Sequence, residues 1–294
     1  MKFDLVITNP PYNNYIDLNI LESLHDITDE FIVIHPCPYL MKNIFDSNDK
    51  LKEFIDRISG TVKSIEFFDG WDTFTIENPS PCVIIHYNKN LITDCDVSFT
   101  QSNFFGYKSV PYKVKSLLDV TYFGESYETI VKPFEKIISA HILTNGSILS
   151  TKITNPKNLN PSASHCQLPS IIGHTNTAKK FTKFFMNDFF AFLPKNGTFL
   201  PEVLADGTFK PTRKNNWEFA TAQERDNFIA FLKTDFARFC LALRKFNKNL
   251  SDGFFTMVPI MDWNVTWTDD SLFDYFNIDQ NTRQFILDFI PDFY

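Results

Sequence analysis

Four consecutive residues, Asn9-Pro10-Pro11-Tyr12, carry groups suited to one chemical task. The Asn9 side-chain oxygen and the Pro10 carbonyl are both hydrogen-bond acceptors. Together they can take both protons of an exocyclic amine. Holding both turns the nitrogen lone pair out of ring conjugation and toward an electrophile. Two prolines stiffen the turn, so alignment costs little entropy at the moment of reaction. Tyr12 adds an aromatic face on which a base can stack. A base inside a duplex cannot reach such a pocket and must flip out of the stack. The plainer reading is a strand-ending turn with a surface tyrosine. What separates the two is where the tetrapeptide sits.

The elements around it place it. Residues 3–8 (F-D-L-V-I-T) form a short apolar strand that the following prolines stop. Ile16, Ile20 and Leu24 recur at helical spacing. Residues 31–35 (F-I-V-I-H) read as a second buried strand, ended by Pro36 and Pro38. Leu51, Phe54, Ile55 and Ile58 share one side of a helix. Residues 62–68 and 82–87 (C-V-I-I-H-Y) supply a third and a fourth strand. Apolar strands alternating with helices predict a parallel α/β sheet covered on both faces. In such sheets ligands bind beyond the carboxyl ends of the strands. The tetrapeptide falls at that end, which favours the amine-binding reading.

The run D-L-V-I-T-N-P-P-Y-N resembles the catalytic motif of N6-adenine DNA methyltransferases. It is most similar to the gamma class, which includes enzymes of Type II restriction-modification systems. F-I-V-I-H-P resembles the strand after the catalytic one, and residues 51–69 resemble the next helix and strand. F-T-I-E-N-P-S-P-C-V-I-I-H-Y is similar to a later motif whose aromatic, here Phe74, packs on the flipped adenine. T-D-F-A-R-F and M-V-P-I-M-D-W-N-V-T-W-T-D-D-S-L-F-D-Y-F resemble the tail of these enzymes.

The resemblance implies that Asn9, Pro10, Pro11 and Tyr12 are catalytic. Asn9 and Pro10 would hold the adenine amine, next to the donor. Tyr12 and Phe74 would sandwich the base, and S-adenosylmethionine would donate the methyl group. The implied fold is α/β: a partial Rossmann-like methyltransferase sheet, the catalytic half, followed by an α+β target-recognition region. The expected domains are residues 1–100 for catalysis, 101–250 for target recognition and 251–294 for an acidic helical tail.

One part of the family pattern is absent. Its cofactor motif is a strand and a glycine-rich turn, F-x-G-x-G. This sequence has 9 glycines and no G-x-G, and only eight residues precede Asn9. The cofactor-holding half is therefore expected on a second subunit or chain. Without that neighbour, Leu5, Val6 and Ile7 become an exposed apolar edge, which invites another chain.

Charge is segregated along the chain. Residues 1–100 hold 7 Lys+Arg and 16 Asp+Glu, residues 101–250 hold 20 and 11, and residues 251–294 hold 1 and 8. The formal net charge of -7 therefore hides a basic middle block. Such a block suits double-stranded DNA, or it neutralises the acidic ends within one fold. Lys179, Lys180, Lys183, Arg213, Lys214, Arg244 and Lys245 are its expected phosphate contacts, several of them interleaved with aromatics. Arg238, Arg244 and Lys245 lie on or just after a helix and have structural readings too.

Other chemistries lack a constellation. The 5 Cys include no C-x-x-C, so neither a disulfide framework nor a metal cage is expected, and a cytoplasmic setting is. His35 and Cys37 read as packing residues. No apolar run approaches the roughly 18 residues of a membrane-spanning helix. Ser164-His165 and His174 have no nucleophile context, and Asp69 and Asp72 read as turn residues.

In the second half, Asp206-Gly207 predicts a hairpin and residues 221–243 a single long helix capped by Thr221. Two short helices begin near Thr268 and Asp279. Much of the excess of 33 Phe falls here and is expected to fill core. Two other functions stay open. One is a catalytically inactive methyltransferase remnant acting as a DNA-binding or specificity protein. The other is methylation of a protein or RNA amine.

Overall fold

The structure, a computed structural model, describes residues 3–10, 16–36, 49–69, 81–99, 111–121, 123–152, 164–169, 202–204, 214–244 and 252–290. The chain divides into two compact units, Met1–Tyr127 and Glu128–Tyr294. Both mix helix and strand, so the chain is α/β as expected.

The first unit is built on a six-stranded sheet. Its strands are β1 (Val6–Thr8), β2 (Glu30–Pro36), β3 (Val62–Asp69), β4 (Pro81–Asn88), β5 (Cys95–Phe99) and β6 (Tyr112–Val114). Helix α1 (Ile16–Ile27) joins β1 to β2, and α2 (Asp49–Ile58) lies between β2 and β3. The strand order is β1-β2-β4-β3-β5-β6. β1 runs parallel to β2, and β3 parallel to β5. β4 runs antiparallel to both β2 and β3, and β6 antiparallel to β5.

The expectation of an all-parallel sheet is thus corrected. The reason lies in the connection. Only residues 70–80 separate β3 from β4, too few for the crossover of a dozen or more residues that a parallel pair needs.

A second correction concerns coverage. The steps from β1 to β2 and from β2 to β3 move the same way along the sheet. Right-handed crossovers then place α1 and α2 on one face. Burial agrees. Phe31, Val33, His35, Ile65, Phe67, Val83, Ile85, Tyr87 and Val97 share that face by register and are all buried. Phe31 stacks on Tyr87 with ring centroids 4.3 Å apart. The other face carries Ile7, Ile32, Ile34, Ile84, His86, Ser64, Glu66 and Asp96, half-buried or exposed, and at one end the paired Phe68 and Cys82, which are buried. Among the described residues one face is therefore closed, and the other is closed only at its Phe68–Cys82 end.

The second unit is a phenylalanine-filled helical core beside a small sheet. Its helices are α3 (Lys132–Asn145), α4 (Ala222–Leu232), α5 (Asp235–Ala242), α6 (Asp269–Tyr275) and α7 (Gln280–Phe289). Phe134, Phe228, Phe231, Phe236, Phe239, Phe254 and Phe255 are fully enclosed, which accounts for much of the phenylalanine excess. The sheet is antiparallel, in the order β8-β7-β9, formed by Glu202–Leu204, Ser164–Pro169 and Lys214–Phe219. β8 pairs with β7; residues 208–209, the other half of the expected hairpin, lie outside the described residues. Trp217 of β9 is buried, and its indole N–H donates to the Ile148 carbonyl at 2.9 Å.

The single long helix expected over residues 221–243 is two helices. Thr221 does cap the first, in a capping box with Glu224. Thr234 then caps the second, its hydroxyl oxygen accepting from the Ala237 N–H at 3.1 Å. The Asp269 carboxylate accepts from the N–H groups of Asp235 and Phe236 at 3.2 and 2.8 Å. Orphan donors at the new helix start are thereby satisfied. That partner lies 34 positions away, so local pattern does not disclose the break.

The two acidic-start helices form as expected, with Thr268 and Asp279 as N-caps. The Asp279 carboxylate accepts from the Thr282 hydroxyl and from the N–H groups of Thr282 and Asn281. The Thr282 hydroxyl contributes most to holding its carboxyl below the ordinary range. A lowered folded pKa means the cap acts fully above the unfolded value and is lost as pH falls through the folded one. Asp279→Ala is expected to cost about 1 kcal/mol at neutral pH, measured by denaturant unfolding. The difference between the two proteins should shrink in acid.

Candidate amine-binding site

β1 delivers Asn9 and Pro10 to the carboxyl end of the sheet. Two bonds secure the start of this strand. The Thr28 hydroxyl donates to the Phe3 carbonyl at 2.9 Å, while Phe3 N–H donates to the Ile27 carbonyl at 2.8 Å. The strand then pairs in parallel with β2, Thr8 standing opposite Val33. Pro10 is buried and Asn9 is exposed.

Other chain segments meet at the same end. β2 ends there at Pro36, β3 ends there at Asp69, and antiparallel β4 begins there at Pro81. Asp69 stands directly opposite Pro81 in the register.

Pro11, Tyr12, Phe74, Lys179, Lys180, Lys183, Arg213 and Lys245 lie outside the described residues. Lys214 opens β9, opposite Pro169. Arg244 donates to the Glu135 carboxylate at 2.8 Å and to the Leu243 carbonyl at 3.2 Å. Arg238 is 1% exposed and donates to Asp235 at 2.8 Å. Both guanidiniums thus have carboxylate partners within the second unit. His35 is buried in the closed face of the sheet, in keeping with a packing role.

Two features were not legible in the sequence. One is the half-buried second sheet face, where His86 Nε2 lies 2.5 Å from Glu30 Oε1, in hydrogen-bond contact. Cross-strand placement creates that pair, and no local pattern marks it. The other is Asn227, buried at the centre of a polar knot. It accepts from Gln223 and Thr266 and donates to the Trp263 carbonyl.

Among the described residues no His/Cys/Asp/Glu cluster could hold a metal ion, and no helix is long and apolar enough to cross a membrane. Cys82, Cys95 and Cys240 are free and buried. Burial, with the Asp96 charge beside it, pushes the Cys95 thiol up to about 12. At pH 8 it is a thiol rather than a thiolate. Iodoacetamide is expected to leave Cys95 unmodified in the folded protein and to label it after denaturation, as peptide mass mapping would show.

No known protein family matches the chain, and no curated protein is detectably similar to it. Among solved structures, the chain is similar to the type IIG restriction endonuclease BpuSI, with a TM-score of 0.31 and 10% identity. The match covers 91% of this chain and 43% of that protein, so the chain spans less than half of its length. At that TM-score the likeness carries no argument about fold or function.

Proposed function

We propose that this chain is the catalytic and target-recognition part of a site-specific DNA adenine-N6 methyltransferase of a restriction-modification system. The observation that supports this most is the placement of Asn9-Pro10 at the carboxyl end of β1, with Pro10 buried and Asn9 exposed. Asn9 Oδ1 and the Pro10 carbonyl accept the two amine protons of a flipped adenine. Tyr12 stacks on the ring, and Phe74 closes on its other face.

S-adenosylmethionine supplies an electrophilic methyl group. Asn9 and the Pro10 carbonyl would hold the amine with its lone pair directed at that methyl group, were the donor bound. An amine held by two acceptors could lose its proton after alkylation, so this reading asks no strong general base of the chain's own residues. The chain's own residues fit the amine, not the donor. These 294 residues include no G-x-G turn, so most of the cofactor-holding part is proposed to lie outside them.

Phosphate contacts are assigned to Lys179, Lys180, Lys183, Arg213, Lys214, Arg244 and Lys245. Replacing Lys179, Lys180 and Lys183 together by Gln is expected to weaken DNA binding. It should also lower the slope of log affinity against log salt by about 0.9 for each phosphate that is no longer neutralised. Arg244→Gln is expected to have a smaller effect, because Glu135 already engages that guanidinium at 2.8 Å. Fluorescence anisotropy across a salt series checks both.

The absence of a G-x-G turn favours a second reading, an inactive remnant that binds DNA. Titration calorimetry with S-adenosylmethionine, with and without the polypeptide encoded immediately upstream, separates the two. Heat of binding only in the mixture supports the enzyme. No binding in either supports the remnant.

A further inference from the structure

Helix α3 is apolar on two opposite sides. Its inner side buries Phe134 and Ile138. By helical periodicity its outward side carries Pro133, Lys136, Ile137, Ala140, Leu143 and Thr144. All of these are exposed, Leu143 to 88% and Ile137 to 37%. A surface helix ordinarily turns charged and polar residues outward, and one that is apolar all round is covered on every side. This outward side carries a single charge, Lys136. One cation is too few to hold nucleic-acid phosphates or an anionic membrane.

The order of side chains on this face says what covers it. Ala140 lies at its centre, with Ile137 one turn before it and Leu143 one turn after it. Such a face is self-complementary under a two-fold axis at Ala140. In an antiparallel pair, Ile137 of one copy meets Leu143 of the other on both sides of the axis. The small Ala140 side chains let the helix axes approach to roughly 8 Å, the near end of the usual range. The same pairing lays Lys136 beside the carbonyl end of the facing helix, where a cation is stabilising. A parallel pair would set Lys136 against Lys136 instead.

We infer that the chain associates with a second copy of itself through the outward side of α3, as an antiparallel helix pair about a two-fold axis at Ala140. A helix of 14 residues is about 21 Å long and about 10 Å across. One such face is smaller than the roughly 800 Å² per partner of a standard interface. The dimer is therefore concentration-dependent rather than obligate. It does not rest on the methyl-transfer reading, and its test does not read methyl transfer.

The test uses the full chain. Sedimentation velocity from about 1 to about 500 μM should show monomer passing into dimer. Leu143→Lys sets a cation against Ile137 and beside Lys136 of the facing copy, and Ala140→Glu sets two like charges together on the axis. Both positions are exposed, so the fold tolerates the changes, and each should weaken the dimer about tenfold or more. Ala140→Cys should form a disulfide-linked dimer under diamide, because its two thiols meet at the axis. Lys136→Cys should not link, since its two thiols lie about 12 Å apart along the pair. The unsubstituted chain, with 5 cysteines of its own, sets the background. Monomer at every concentration, a dimer indifferent to Leu143→Lys and Ala140→Glu, or equal linking through positions 136 and 140 would each overturn the inference.

Discussion

Asn9→Ala is expected to lower methyl transfer to DNA by roughly 100-fold or more, with DNA affinity nearly unchanged. On the proposed reading the substitution removes one of two acceptors that orient the amine. The Pro10 carbonyl alone holds one proton and leaves the nitrogen free to rotate back into conjugation with the ring. The loss therefore falls on the transition state and shows in kcat more than in KM. Because Asn9 is exposed at the end of β1, its side chain contributes little packing and the variant should fold. Tyr12→Ala should lose activity to a similar degree, with a larger rise in KM, since it removes stacking on the base. Unchanged turnover in both variants would contradict the assignment of the tetrapeptide.

Phe236→Ala is expected to destabilise the second unit by about 3–5 kcal/mol. Phe236 is fully buried. Its ring stacks on Phe276 at 5.0 Å and meets Phe134 and Phe273 edge-on at 5.6 and 6.1 Å. It also follows the Asp269-capped start of α5, so α5 and α6 share both a cap and a ring cluster. Removing the ring leaves a cavity whose lining belongs to three helices, none of which can close it alone. A loss of that size is a large part of a typical domain stability of about 5–15 kcal/mol. Guanidinium unfolding followed by tryptophan fluorescence measures it. A change below about 1 kcal/mol would show that the cluster repacks.

The contrast between these two predictions reflects what the chain discloses locally. The strands over residues 31–35, 62–68 and 82–87 announce themselves because a run of β-branched and aromatic residues has no other good place to go. Their directions do not, because an apolar run carries no orientation; β4 is reversed by the shortness of segment 70–80, a property of the connection. The placement of Asn9-Pro10 was legible because prolines must end a strand. The break between α4 and α5 was not, since it depends on Asp269, a residue distant in sequence. Nor did the pattern show that one face of the sheet is closed only at its Phe68–Cys82 end. That follows from two crossovers stepping in the same direction, which requires the strand order. The apolar residues of β1 read equally well as buried or exposed until their neighbours are known.

Transfer of a labelled methyl group decides whether the chain is an adenine methyltransferase. The full chain, mixed with the polypeptide encoded immediately upstream, is incubated with S-adenosylmethionine labelled in its methyl group and with double-stranded DNA. The DNA is then digested to nucleosides. The expected outcome is label in N6-methyladenine, dependent on Asn9. No label from a mixture that binds both DNA and cofactor, or label on cytosine or on protein, would contradict the assignment.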